Sequence, residues 1–232
     1  MSGQFGLKNV MPGFNARGTE LPEYQVTPDE IDAYQQYIVL YPSRDYNDVG
    51  TFAGGTNTQA KALTLLQKRL DYPRNVQVSV TATADAGGTA DVNGYDQFGV
   101  SITESIGFGT ATAGTPGGIN AGTKIFSQVT SGTFTYAVTG NGSASLGYGT
   151  SEGSVKFGLP MKIGNIADVK NIVWTKSFAW TTFNGGTYTS THVDTTNHAV
   201  IATAALGGTE AFVVTLKSSY DASGDTSRQA GL

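Results

Sequence analysis

The stretch RNVQVSVTATADAGGTADVNGYDQFGVSITESI, residues 74–106, decides the fold class. Val76, Val78 and Val80 alternate with Gln77, Ser79 and Thr81, the period-two pattern of a half-buried strand. Asp85-Ala86-Gly87-Gly88 reads as a turn. Ala90–Tyr95 and Val100–Ile106 then flank Asp96-Gln97-Phe98-Gly99. That is a hairpin signal, with glycine where the turn needs a positive φ.

The same pattern continues toward the C-terminus. Strands are expected at 124–130, 133–139, 144–148 and 155–159, and at 198–204 and 211–219. A second hairpin is expected from Ile172–Phe183 and Tyr188–Asp194 across Asn184-Gly185-Gly186-Thr187. Short strands punctuated by glycine indicate an all-β domain, an antiparallel β-sandwich or a barrel-like form of one.

Upstream of Arg74 the character changes. Residues 1–73 hold five of the seven prolines and show no sustained period. They read as an extended N-terminal arm, with residues 74–220 as the β-domain and residues 221–232 as a polar tail. Thr27-Pro28-Asp29-Glu30 has the form of a capping box with proline at the first helical position. It predicts a short helix over about 28–37, with Ile31, Tyr34 and Ile38 on one face. Residues 37–41 then look extended, and 60–70 fit a helix or a buried strand equally. The arm's apolar residues Phe5, Leu7, Val10, Met11, Phe14 and Leu21 cannot bury one another, so they are expected at an interface, on the chain's own β-domain or on a neighbouring subunit.

Composition narrows the function classes. Thirty-one of 232 residues are glycine, and only 14% are charged, against about 25% in ordinary domains. Eleven Tyr, eleven Phe and two Trp can build a core. The net charge is −4, and no Lys/Arg run appears, which speaks against nucleic-acid binding. There are no cysteines to form disulfides or thiolate metal sites. No apolar run reaches the length of a membrane span, and no secretory signal is apparent. The chain is therefore expected to be made in the cytoplasm and to carry no membrane segment.

Two motifs invite an enzymatic reading. Gly149-Thr150-Ser151-Glu152-Gly153 matches the nucleophile elbow, which requires a strand entering and a helix leaving. Here strand-like residues follow, so a plain turn is expected. His192 and Asp194 share a strand face, with His198 close behind, but a metal site would need a further ligand and a supporting shell. No catalytic, cofactor or metal residue is assigned. Glu104 is the charge that stands out, because it shares a face with Val100, Ile102 and Ile106. It is expected either buried, with Arg74 as its partner, or at a sheet edge, where a charge blocks aggregation. Trp174, Phe178 and Trp180, with Tyr188 nearby, could form a sugar-stacking face, although a core row gives the same spacing.

Tyr72-Pro73-Arg74-Asn75-Val76, Gly94-Tyr95-Asp96-Gln97-Phe98-Gly99, Glu104-Ser105-Ile106, Phe126-Ser127-Gln128-Val129 and Gly158-Leu159-Pro160 occur in that order. Over residues 72–160 this series resembles β-rich virion proteins of tailed bacteriophages, nearest the capsid decoration or cement proteins. The resemblance implies a non-enzymatic particle component on the capsid surface that needs no cofactor. Its partners would be the major capsid protein or other virion subunits, and it would form a trimer or another symmetric homo-oligomer. A head fibre, a tail-tube or collar part, a coat protein and a carbohydrate-binding β-sandwich are the alternative expectations.

Overall fold

The computed structural model describes residues 32–40, 42–45, 47–53, 60–80, 88–108, 119–136, 144–149, 154–176, 179–182, 186–202, 206 and 209–219. Sixteen strands lie within them. The first eight are β1 (Asp32–Leu40), β2 (Gly50–Phe52), β3 (Lys61–Leu65), β4 (Arg69–Arg74), β5 (Gln77–Val80), β6 (Gly88–Tyr95), β7 (Ser101–Phe108) and β8 (Ile119–Ala121). The rest are β9 (Phe126–Tyr136), β10 (Ala144–Gly147), β11 (Lys156–Gly158), β12 (Val169–Lys176), β13 (Ala179–Thr182), β14 (Val193–Asp194), β15 (Ala199–Ile201) and β16 (Ala211–Ser219). The ladders between them are antiparallel, and the all-β expectation holds.

The larger sheet is organised around the long strand β9. Along one edge β9 pairs with β6, and β6 continues into β7 through the predicted hairpin. Along the other edge β9 pairs with β3 and β4. From β3 the sheet runs through β2, β10 and β5 to β8. Inward-facing residues of both arms form one core: Phe52, Val78, Val92, Phe134 and Leu146 are all fully buried. The sheet therefore curls upon itself, and its two ends, β7 and β8, come side by side. No ladder joins them, so the barrel stays open. Side chains cross the seam instead. Glu104 on β7 accepts from the Thr123 N–H at 2.5 Å and from the Lys124 N–H at 3.2 Å. The Asn120 amide donates to the Gly107 carbonyl, and Lys124 Nζ donates to the Thr103 carbonyl at 2.6 Å.

The smaller sheet has the order β1-β16-β12-β13. Its inner face presents Val39, Phe212, Val214 and Ile172 to Phe157 and Val200 of β11 and β15, giving a second core. Phe157 and Phe212 meet across this layer with ring centres 5.7 Å apart. Packing of the four-stranded sheet onto the β11–β15 region is sandwich-like.

Four expectations are corrected here. The helix over about 28–37 conflicts with β1: residues 32–40 form a nine-residue ladder with residues 219–211 of β16. A ten-residue helix is marginal alone, and a full ladder with a buried face outweighs it. Residues 28–31 and the arm residues Phe5, Leu7, Val10, Met11, Phe14 and Leu21 lie outside the described residues, as does the tail from residue 221. Arg74 marks no domain boundary, because β1 to β4 are woven into both sheets. Residues 172–183 are not one strand: β12 folds back onto β13, with Trp174 opposite Thr181 and Thr175 opposite Trp180. Finally, the two strands expected at 124–130 and 133–139 are largely one, β9.

Candidate functional site

Arg74 ends β4 and is completely buried. It does not meet Glu104. Its Nη1 donates to the Ser43 carbonyl at 2.7 Å and pairs with Asp71 at 3.2 Å. Its guanidinium carbon lies 4.3 Å from the centre of the Tyr148 ring and 5.0 Å from that of Phe157. Tyr148 belongs to the first core and Phe157 to the second, so Arg74 rivets the two together. Burial pulls its pKa below the usual value while Asp71 pulls it back; an arginine stays cationic nonetheless. Burial also pushes the Tyr148 hydroxyl up to about 12. Asn75 completes this junction. Its amide donates to the carbonyls of Gly122 and Ser154, and its oxygen accepts from the Lys156 N–H.

Glu104 is buried, on β7, and its partners are the N–H groups of Thr123 and Lys124 and the Thr123 hydroxyl, not Arg74. The hydroxyl donates at 2.9 Å. Gly122 makes room: a Cβ there would stand 2.4 Å from Glu104 Oε2.

The histidines and Asp194 serve separate local roles. His192 Nδ1 accepts from the Thr189 N–H at 3.1 Å. Asp194 pairs with Lys156 at 2.7 Å and accepts from Asn197 Nδ2 at 2.8 Å. Burial raises its pKa, but hydrogen bonds from Lys156 and Asn197 outweigh this and hold it below the ordinary carboxylate value. His198 sits at φ 50° in the left-handed region, with Nδ1 against the backbone of Ile163. Burial lowers its pKa. Among the described residues no three acidic or histidine side chains converge as metal ligands. Ser151 lies outside the described residues. In the aromatic group, Trp174 stacks on Phe212 at 6.4 Å and 17°. The Tyr188 hydroxyl donates to Asn171 and accepts from the Ile172 N–H. These two rings are engaged within the fold.

Two surfaces stand open among the described residues. The first is the outer face of the smaller sheet. Ile38 and Leu40 of β1 are each 48% exposed, and register sets Ile38 beside Val213 and Val213 beside Val173. This apolar row ends at β1, beyond which no further strand lies among the described residues. There the Tyr72 hydroxyl caps the last residue, accepting from the Leu40 N–H and donating to the Leu40 carbonyl, both at 3.0 Å. The sequence placed Ile38 both on a helix face and in the extended run 37–41, and alternation around Val39 is the signal that places it outward.

The second is a cleft of about 300 Å³ between the β6–β7 turn and the β14–β15 turn. Gln97 ties the turns together by donating to the Asn197 carbonyl at 2.9 Å. Lys124 and Lys162 supply two cations, Ile102 and Ile125 an apolar wall. Lys162 Nζ stands 5.6 Å above the Phe98 ring. Asp96 is the lining carboxylate, and its Oδ1 accepts from the N–H groups of Phe98 and Val100, both at 2.8 Å. Val100 is 57% exposed at the rim. None of these residues was singled out from sequence as a site, because the lysines come from distant loops.

No protein-family model, curated protein or solved structure matches this chain.

Proposed function

We infer that this is a non-enzymatic virion structural protein of the capsid decoration or cement type, which stabilises the head by binding across neighbouring capsid subunits. The carrying observation is the exposed apolar row of Ile38 and Leu40 beside Val213 and Val173, on a sheet whose edge strand follows directly from the arm. A contiguous apolar face next to an open strand edge is the form of a protein-binding surface. From sequence, Phe5, Leu7, Val10, Met11, Phe14 and Leu21 are further apolar residues expected at an interface. Such a protein acts by mass action, since each contact made only in the assembled state favours assembly.

Immunogold electron microscopy of virions grown from the genome that carries this gene tests the reading. Label at junctions between capsid subunits is the expected outcome. Label confined to the tail, or virions without label, overturns it.

A further inference from the structure

We propose that the Lys124/Lys162 cleft is the docking site for the acidic half of the N-terminal segment, residues 18–31, of a second copy of this chain. The inference rests on the assembly reading above and names the partner of one of its surfaces.

The argument is one of charge and apolar complementarity. The chain is acidic overall, yet this cleft gathers two lysines against one carboxylate, and that carboxylate accepts two backbone N–H groups. Residues 18–31, GTELPEYQVTPDEI, carry Glu20, Glu23, Asp29 and Glu30 and no Lys, Arg or His. Between the acids lie Leu21, Tyr24 and Val26. Acids alternating with apolar residues suit a cleft where lysines border Phe98, Ile102 and Ile125. Tyr95 and Val100, 42% and 57% exposed, extend the apolar rim along the same hairpin tip. Complementary charge steers such an encounter and selects its register.

Because the chain has no cysteine, disulfide trapping reports the contact cleanly. A size-tagged full-length Glu23→Cys copy is mixed with an untagged Val100→Cys copy and oxidised. The expected product is a tagged–untagged dimer whose yield falls about tenfold when Lys124→Glu and Lys162→Glu are added to the Val100→Cys copy. Yield should fall with added salt as well, and Glu20→Lys with Glu30→Lys on the tagged copy should restore it. The proposal is overturned by any of three results: no mixed dimer, equal trapping by a remote Leu66→Cys copy, or closure of a Glu23→Cys/Val100→Cys double variant on itself at high dilution. Melting curves confirm that each surface variant folds. Virion association of the wild-type chain is scored in parallel. Association without trapping sinks the docking and leaves the assembly reading standing; trapping without association does the reverse.

Discussion

The guanidinium carbon of Arg74 stands 4.3 Å from the centre of the Tyr148 ring, and this contact fastens one hydrophobic core to the other. Arg74→Ala should therefore cost about 3–5 kcal/mol, because it empties a buried site and removes the cation paired with Asp71. Arg74→Met should cost less, since Nε and Nη2 have no hydrogen-bond partner to lose. Urea denaturation of the three proteins checks the order. Equal losses for Ala and Met would refute the stacking argument.

Glu104 seals the gap between β7 and β8. Replacement by Gln swaps a charged acceptor of three bonds for a neutral group that turns one amide toward donors. The expected loss is about 2 kcal/mol. Gly122→Ala should be comparably damaging, through the Cβ that would crowd Glu104 Oε2. Hydrogen exchange at Thr123 and Lys124 should speed up in both variants.

Acid sensitivity should come in two windows. Burial lowers the His198 pKa in the fold below the ordinary 6.5. The unfolded chain takes up that proton first, so stability falls as pH drops from 6.5 toward the folded pKa. His198→Asn, which tolerates the positive φ, should flatten the fall in Tm between about pH 7 and pH 5. Asp194 has a folded pKa below 3.8. Its contribution is complete above that value and is lost as pH falls through the folded pKa, so Asp194→Asn should alter only the more acidic window.

The outer face of the smaller sheet separates stability from assembly. Ile38→Glu with Leu40→Glu removes exposed side chains, so the melting transition should move little. A shift equivalent to less than about 1 kcal/mol is expected, while binding to virions, measured by co-sedimentation, should be lost. Retained binding would place the contact elsewhere.

Tyr72→Phe removes the hydroxyl that holds both backbone groups of Leu40. A loss of about 1 kcal/mol is expected. Analytical ultracentrifugation should also show more self-association, because the Leu40 N–H and carbonyl at the strand edge lose their hydroxyl partner.

What could be read from the chain depended on range. The Asp96–Gly99 turn was legible because its determinants are local: Asp96 caps the N–H groups of Phe98 and Val100, and Gly99 takes φ 79°. Alternation likewise located β6, β7, β10 and β16 closely. The helix at residues 28–37 failed because its capping motif is local evidence, whereas β1 is fixed by a ladder with β16 at the far end of the sequence. Periodicity marked Glu104 as inward-facing, but two of its three donors are main-chain N–H groups that any residues at 123 and 124 would supply. Arg74 was noticed as a charge beside a strand; its aromatic neighbours Tyr148 and Phe157 arrive from separate strands and leave no trace in spacing.

The β1–β16 ladder also governs when the protein can finish folding. Leu40 and Ala211 are neighbours in the sheet but lie far apart along the chain. During synthesis β1 must wait for β16, a delay on the order of tens of seconds at translation rates of about 5–20 residues per second. Through that interval Val39 and its flanking residues have no sheet to join. Nascent chains of this protein should therefore depend on holding chaperones until the last strand has left the ribosome.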